Sequence, residues 1–302
     1  MSVNLKKIST ESRNPNTMDI DVVSTLEIVT KLNNEDKTVP YAVEKALPQI
    51  AAVVDKIVES FEKGGRLIYM GAGTSGRIGI IDAVECPPTF GVPYDMVTCL
   101  MAGGDKAMTQ AVEGAEDSKE LAIQDLQRIN ANPNDIVVGI AASGRTPYVI
   151  GGMEYAKSLG LTTACITTSA NTVLASVVDY PIEAITGPEP LTGSTRMKSG
   201  TAQKLICNML STASMIKIGK VYENLMVDVQ TTNEKLYARA RGIVSEVTGV
   251  DSDEAGKLID KYGSIKGAIL SHLAQITDVE EVKTALEESK GNLRKALQAK
   301  GR

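Results

Sequence analysis

The feature that most constrains the fold of this 302-residue chain is an alternation of short apolar runs and helical patterns between residues 66 and 218. Apolar runs rich in Val and Ile, separated by amphipathic segments, predict a parallel sheet with helices on both faces. The predicted strands are 66–70, 96–102, 135–141, 161–167 and 180–185. The predicted helices are 76–85, 117–130, 147–159, 171–177 and 197–218.

The segments on either side of this alternation have a different character. Residues 1–18 are polar and predict an extended arm, and helical apolar stripes follow it up to Gly64-Gly65. After Val221 the pattern is helical, with one helix at 231–248 and three short helices within 251–302. We therefore predict an α/β protein with a parallel five-stranded sheet, N-terminal helices and a small C-terminal helical bundle.

The domain division follows from these patterns. We predict an N-terminal arm with helices that pack on the core or on a dimer interface (1–64), a sheet domain (65–230) and a C-terminal helical module (231–302). No uncharged apolar run is long enough to span a bilayer, and the start lacks the apolar core of a signal peptide. These observations predict a cytoplasmic protein.

Composition narrows the possible partners and chemistry. A formal net charge of −5, two Phe and no Trp argue against nucleic-acid and anionic-membrane partners. The four cysteines are scattered without a Cys-x-x-Cys pair, which predicts reduced thiols and no zinc site. The single histidine, His272, lies in the C-terminal region. If the protein is an enzyme, carboxylates are the expected acid and base.

Three loops follow predicted strands and precede predicted helices. They are Gly71-Ala-Gly-Thr-Ser-Gly-Arg77, Ala141-Ala-Ser-Gly-Arg-Thr-Pro147 and Leu191-Thr-Gly-Ser-Thr-Arg-Met-Lys-Ser-Gly-Thr201. Each offers small hydroxyl side chains at a helix N-terminus, where an anion is attracted. Helix capping explains any one of these loops. Three of them together favour a phosphate site over capping alone.

The first loop also spells Gly71-x-Gly73-x-x-Gly76, the dinucleotide-binding fingerprint. Asp105 could supply the acidic residue which that fingerprint requires, so a nicotinamide enzyme is an alternative. The hydroxyl-rich companion loops suit a phosphomonoester better than a pyrophosphate. The P-loop sequence is absent. The loops therefore favour a compact phosphorylated ligand.

Two glutamates are candidates for acid–base chemistry. Glu85 precedes Pro87-Pro88, which predict the end of the helix that begins at the first loop. A carboxylate at a helix C-terminus among apolar neighbours is expected to have a raised pKa and to serve as a proton donor. Cys86, beside it, has no histidine to activate it as a nucleophile.

Glu116 is expected just before a helix N-terminus, because Asp117 and Glu120 resemble a capping box. Ionisation is favoured there, so Glu116 suits a general base. Two carboxylates with environments that separate their pKa values are typical of an acid–base pair. Glu113 and Asp105 are alternatives for the base. Solvated surface charge is the simpler interpretation of both glutamates.

Five motifs in order resemble those of N-acetylmuramic acid 6-phosphate etherases. Besides the first two loops they are Glu85-Cys-Pro-Pro88, Val112-Glu-Gly-Ala-Glu-Asp117 and Thr192-Gly-Ser-Thr-Arg-Met-Lys198. The resemblance extends to the motif that begins at Thr10, to Asn33–Pro40 and to Gly219–Asp228, and so covers nearly the whole chain.

The resemblance implies a sugar isomerase (SIS) fold, a homodimer, a C-terminal module similar to a ubiquitin-associated domain, and a relationship to glucokinase regulatory proteins. It implies cleavage of the D-lactyl ether of N-acetylmuramic acid 6-phosphate in cell-wall sugar recycling, with no cofactor or metal. The family's proton donor falls on Glu85 and its second active-site glutamate on Glu116. A phosphosugar isomerase and a non-catalytic phosphosugar sensor are the alternatives on the same fold.

On this interpretation a set of loop residues holds the sugar phosphate or its ring. They are Thr74, Ser75, Ser143, Arg145, Thr146, Ser194 and Thr195.

Overall fold

The computed structural model describes Thr10, residues 12–229 and residues 233–302. The chain divides into two compact units. The core unit comprises the residues up to Val84 together with Asp95–Ser211, and the tail unit comprises Glu85–Tyr94 and Thr212–Arg302. The domain boundary predicted between residues 230 and 231 lies outside the described residues, so the three-part division stays a prediction.

The core unit contains five strands, β1 (Leu67–Gly71), β2 (Val97–Met101), β3 (Ile136–Ile140), β4 (Thr162–Thr167) and β5 (Tyr180–Glu183). They form a parallel sheet with the order β2-β1-β3-β4-β5. All five predicted strands are confirmed, with ends that lie within two residues of the predicted ones.

The α-helices that begin in the core unit are α1 (Thr25–Asp36), α2 (Val39–Glu44), α3 (Leu47–Glu62), α4 (Gly73–Phe90), α5 (Lys119–Arg128), α6 (Pro147–Ser158), α7 (Val173–Val177) and α8 (Lys198–Lys217). Helices cover both faces of the sheet, as the alternation predicts. Ile68 and Met70 point into a cluster that α5, α6 and α7 complete, while α3 packs against β1, β3 and β5 from the opposite face. Because side chains alternate along a strand and both faces are covered, every residue of β1 and β3 is buried.

The end of α4 differs from the prediction. Pro87 and Pro88 do not stop this helix, which continues to Phe90. The two prolines remove backbone N–H donors from the helix, but the φ value of proline remains compatible with it. Cys86, Pro87 and Phe90 are buried, so packing holds the last turn in place despite the missing hydrogen bonds.

The tail unit is not wholly helical. A small antiparallel hairpin joins β6 (Val221–Tyr222) to β7 (Leu225–Met226), with Glu223 at positive φ in its turn. After residue 251 the structure has four short helices rather than the expected three, because three interruptions of the helical pattern separate four segments. The tail helices are α9 (Glu234–Thr248), α10 (Ser252–Tyr262), α11 (Ile265–Ala274), α12 (Val279–Glu288) and α13 (Leu293–Ala299).

These tail elements share an apolar core of their own, built mainly from Ala, Ile, Leu and Val side chains. Among the described residues, no helix has both the length and the apolar character that crossing a membrane requires.

Candidate functional site

The strand order places the first two loops next to each other. The first loop follows β1 and the second follows β3, and these strands are neighbours in the sheet. Gly79 of α4 packs on the face that carries Tyr69, and Gly152 of α6 packs on the opposite face against Met70. Two adjacent strands whose helices leave to opposite faces create a crevice at their carboxyl ends, where α/β proteins bind ligands.

The third loop meets the first one at the start of α8. The Ser75 hydroxyl donates a hydrogen bond to Oε1 of Gln203, at 3.0 Å. A Cβ on Gly200 would lie 3.6 Å from Cγ2 of Thr74 and 3.7 Å from the carbonyl oxygen of Thr195. Thr74 and Thr195 therefore flank the same glycine, although they are far apart in sequence.

Thr168 connects the third loop to the second. Its hydroxyl donates to the carbonyl of Ala142 at 3.1 Å and lies 2.9 Å from the hydroxyl oxygen of Ser199. Gly144 in the second loop has φ of +63°, and a Cβ there would lie 2.4 Å from Cβ of Thr172. The backbone of this loop thus needs glycine for its course, and all three loops converge at one edge of the sheet.

Most of the predicted phosphate-binding hydroxyls have no hydrogen-bond partner among the described residues. Thr146 is the N-cap residue of α6, yet its side chain makes no capping hydrogen bond. Within the described part of the chain, none of the hydroxyls in the following group forms a hydrogen bond with another residue: Thr74, Ser143, Thr146, Ser194 and Thr195. Capping therefore does not explain these side chains, and they are free to bind a ligand.

The N-terminus of α8 is already occupied by a carboxylate. Both oxygens of Glu189, which is fully buried, accept hydrogen bonds from the backbone N–H groups of Lys198 and Ser199, at 2.8 and 2.9 Å. The third loop thus offers the hydroxyls of Ser194 and Thr195 to a ligand rather than the first amides of its helix. Sequence reasoning missed Glu189, which lies between two prolines without a recognisable capping pattern.

A cavity of about 210 Å³ lies beside the first loop. Gly73 from that loop and Glu116 both line it, so the structure brings the phosphate loop and one candidate carboxylate together. Glu113 and Arg77 supply the other charged side chains of the wall, whereas Glu85 is not among the described residues that line it.

The backbone around Glu116 differs in detail from the prediction. Gly114, at φ of 75°, starts a short 3₁₀ turn over Ala115–Asp117, and Glu116 lies exposed within it. The N-cap of α5 is Ser118, whose side chain accepts from the N–H of Leu121, so the predicted capping box at Asp117 is wrong. The helix therefore starts one residue later than the capping box predicts, and its first turn is capped at the N–H of Leu121 rather than at that of Glu120. Glu116 still precedes the helix N-terminus.

Glu85 does not lie at the end of α4, contrary to the prediction. Glu85 is exposed on α4, and the helix continues for five residues beyond it. The C-terminal end of the helix dipole, which was expected to raise its pKa, therefore lies further along the chain. Its neighbour Cys86 is buried, and Asp105 is exposed at the start of a 3₁₀ turn.

A buried polar cluster lies beside the third loop. Glu35 accepts hydrogen bonds from Nζ of Lys198 and from the side-chain amides of Asn14 and Asn16, each at 2.8 Å. Burial alone would raise the pKa of Glu35, but these three donors outweigh it and lower the pKa. The N-terminal arm is thereby tied to α1 and to the start of α8. The sequence contained these residues in its motifs without showing their contact.

The parallel sheet with its three converging loops defines the chain as a SIS-domain protein. The SIS domain matches residues 109–213, the N-terminal SIS domain of glucokinase regulatory protein matches 49–157, and the C-terminal lid domain of that protein matches 223–290. Among solved structures, phosphoheptose isomerase from Neisseria gonorrhoeae is similar at 15% identity with a TM-score of 0.49, over 63% of this chain and 98% of that chain.

Relatives that match from end to end identify the family. The N-acetylmuramic acid 6-phosphate etherase of Rhizobium rhizogenes is 55% identical, over 98% of this chain and 96% of its own length. The enzyme of the same name from an Exiguobacterium species is also 55% identical, over 97% of this chain and 100% of its own length. The chain belongs to the N-acetylmuramic acid 6-phosphate etherase family.

Proposed function

We propose that this protein is a carbon–oxygen lyase that cleaves the D-lactyl ether of N-acetylmuramic acid 6-phosphate. The products are N-acetylglucosamine 6-phosphate and D-lactate, in the recycling of cell-wall sugars. One observation carries the proposal for the site: Glu116 and the first glycine loop line the same cavity. This shared cavity supports the proposal that Glu116 is the base beside the loop that suits a sugar phosphate.

The reaction needs a base, an acid and an anchor. An ether is a poor target for direct displacement, but the ring-opened sugar has an aldehyde at C1 that acidifies the proton at C2. Glu116 removes that proton, and the electron pair expels lactate from C3 as an acid protonates its oxygen. Water then adds to the resulting unsaturated aldehyde at C3, and C2 regains a proton. The elimination and the addition balance without a redox step.

Glu85 is the proposed acid. This role now depends on the family resemblance, because its expected position at the end of α4 is not what the structure has. The proposed anchor consists of seven loop residues, and the hydroxyls of five of them have no hydrogen-bond partner in the described part of the chain. Binding energy from the phosphate positions C2 and C3 against the catalytic groups. These residues are Thr74, Ser75, Ser143, Arg145, Thr146, Ser194 and Thr195.

The protein is further proposed to act as a cytoplasmic homodimer. Two helices of the core unit expose apolar stripes with helical spacing, which suit a second copy of the chain. Leu26 and Val29 of α1 are 75% and 51% exposed, and Ile81 and Val84 of α4 are 54% and 55% exposed. The four cysteines form no disulfide with one another in the part of the chain that the structure describes, which accords with the reducing environment of the cytoplasm.

The decisive experiment is to incubate the purified protein with N-acetylmuramic acid 6-phosphate and to measure D-lactate. Glu85→Ala and Glu116→Ala are expected to abolish lactate release while circular dichroism stays unchanged, because both side chains are exposed. Ser143→Ala is expected to raise KM more than it lowers kcat. Wild-type turnover in either glutamate variant would refute the proposed role of that residue.

A second candidate function is a non-catalytic phosphosugar sensor, and the matches to two domains of glucokinase regulatory protein favour it. The same incubation discriminates between the candidates. A sensor would bind the phosphosugar in calorimetry without releasing lactate, and a phosphosugar isomerase would form a ketose from an aldose phosphate.

A further inference from the structure

The substrate of the proposed reaction carries two anionic groups, and the inference that follows rests on that proposed function. One group is the phosphate at C6, for which the hydroxyl loops are the proposed anchor. The other is the carboxylate of the lactyl group, close to the ether bond that breaks. The product sugar has the phosphate but lacks this carboxylate. A site that recognised only the phosphate would bind substrate and product alike.

Arg77 is the cationic side chain in the wall of the cavity that Glu116 lines, among the residues that the structure describes. The guanidinium is half-buried. Its Nε donates to the carbonyl of Met108 at 2.9 Å, and Nη2 donates to the carbonyl of Ala107 at 2.8 Å. These bonds fix the plane of the group. A guanidinium has more N–H groups than two bonds use, so further donors remain for a ligand.

The other charges of the cavity define where an anion can bind. Glu113 and Glu116 are both carboxylates and would repel a negative group, which leaves Arg77 as the attractive position in this wall. An arginine also keeps its charge at every working pH, so it cannot replace the catalytic acid. A fixed, planar, permanently charged donor is suited to bind a carboxylate through two parallel hydrogen bonds.

We propose that Arg77 binds the lactyl carboxylate and is the residue by which the site distinguishes its substrate from the product sugar. The bond from Arg77 holds the leaving group in the cavity that contains the base Glu116. Loss of lactate from the sugar then removes the second anion, and the product remains held by its phosphate alone.

The test compares N-acetylmuramic acid 6-phosphate with its lactamide analogue, in which an uncharged amide replaces the carboxylate. For each compound kcat/KM is measured by release of lactate or lactamide, and Kd by calorimetry. The wild type is expected to prefer the acid by about 10- to 100-fold, the range for a charge-assisted hydrogen bond. Arg77→Met is expected to lose this preference, and Arg77→Lys to keep part of it. Binding of N-acetylglucosamine 6-phosphate is expected to stay unchanged in both variants.

A purely structural role of Arg77 predicts a different result. If Arg77 only holds the turn at Ala107 and Met108, Arg77→Met would raise the Kd of the acid, of the amide and of N-acetylglucosamine 6-phosphate by the same factor. Arg145→Met is the matched control, because loss of this exposed cation from the phosphate loop should weaken the binding of all three compounds by the same factor. Equal weakening in Arg77→Met would overturn the proposal.

The wild type alone can overturn the proposal, so its refutation does not depend on the folding of a variant. Equal Kd values for the acid and the amide would overturn the role of Arg77, whatever the turnover. If the wild type released neither lactate nor lactamide, the proposed lyase function would fail, and the change of the Kd ratio between the wild type and Arg77→Met would still decide whether Arg77 binds the carboxylate.

Discussion

At the residue scale, the candidate site is made of polar groups that the fold leaves without partners. Folded proteins satisfy most of their buried polar groups, so a set of unsatisfied groups at one place indicates a ligand. Five hydroxyls of the loops are half-buried and have no hydrogen-bond partner among the described residues, so they are open to a ligand. Gln203 adds a buried group, since its Oε1 accepts from Ser75 while its Nε2 has no partner among the described residues.

Gln203 is expected to favour substrate binding at the expense of the stability of the fold. Gln203→Met removes the unpartnered amide, so the melting temperature should stay equal or rise, because an unsatisfied buried donor is costly. The same change removes the partner that orients the Ser75 hydroxyl. KM for N-acetylmuramic acid 6-phosphate should rise by about 3- to 10-fold, which is the effect of one neutral hydrogen bond, while kcat changes little.

A double-variant cycle tests this coupling. Ser75→Ala should raise KM by a similar factor, and the combined Ser75→Ala/Gln203→Met variant should raise it no further, because both changes disrupt one contact. Additive effects, or a melting temperature that falls while KM stays constant, would contradict this role for Gln203.

The sequence could predict the hydroxyl residues of the site but not the residues behind them. Ser143 and Thr74 lie in short loops whose glycines and hydroxyls have a local meaning. Gln203 acts through a contact with a residue that is distant in sequence. Glu189 binds the start of α8 without a recognisable local sequence pattern. Their roles depend on the packing of α8, which no local rule contains.

At the element scale, α4 is a helix in which tertiary packing overrides the local rule that proline ends a helix. Two consecutive prolines are a strong signal for a helix end, since each removes a donor at a cost of about 3 kcal/mol in a helix interior. The helix nevertheless continues to Phe90, whose side chain is 6% exposed. Burial of apolar side chains offsets part of the local cost, and burial is what a single sequence does not report.

The N-terminal arm is the second element whose role depends on distant contacts. Thr17 donates to the carbonyl of Pro190 at 2.8 Å, and the backbone N–H of Gly193 donates to the carbonyl of Thr10 at 3.2 Å. Together with the Glu35–Lys198 ion pair, these bonds fasten the arm to the third loop. The polar composition of residues 1–18 predicts an arm, but it does not show what the arm contacts.

The Glu35–Lys198 pair is expected to stabilise this junction in a pH-dependent way. Both side chains are at most 7% exposed, so Glu35→Gln leaves a buried ammonium without its counter-charge and should lower the free energy of unfolding by about 3 kcal/mol at pH 7. The pKa of Glu35 is lowered in the folded protein, so its stabilising contribution is present above the ordinary value of 4.5 and is lost as the pH falls below it.

Denaturant unfolding of the wild type and of Glu35→Gln between pH 3 and pH 7 measures this contribution. The difference between the two proteins should shrink below about pH 4.5. Adding Lys198→Met to Glu35→Gln should recover much of the lost stability at pH 7, because no unpaired charge then remains. A difference that is constant over this pH range would contradict the ion-pair explanation.

At the scale of the whole molecule, the sequence predicted the layers but not the order of the strands. Alternating apolar runs and helices require a parallel sheet, and all five strands lie near their predicted positions. The order β2-β1-β3-β4-β5 depends on which face each helix takes, and that choice depends on close contacts such as Gly79 against Tyr69. The strand order, in turn, decides which loops meet at the site.

The exposed apolar stripes on α1 and α4 allow the proposed assembly to be tested. If the stripes on α1 and α4 bind a second copy, Leu26→Glu and Ile81→Glu should each shift sedimentation velocity from dimer toward monomer, because a charge would be buried in the interface without a partner. Circular dichroism should not change, since both side chains are exposed in the single chain. Val279→Glu is the matched control, as it adds the same charge to an exposed apolar position of the tail and should leave the dimer intact. A wild type that sediments as a monomer at micromolar concentration would refute the proposed assembly.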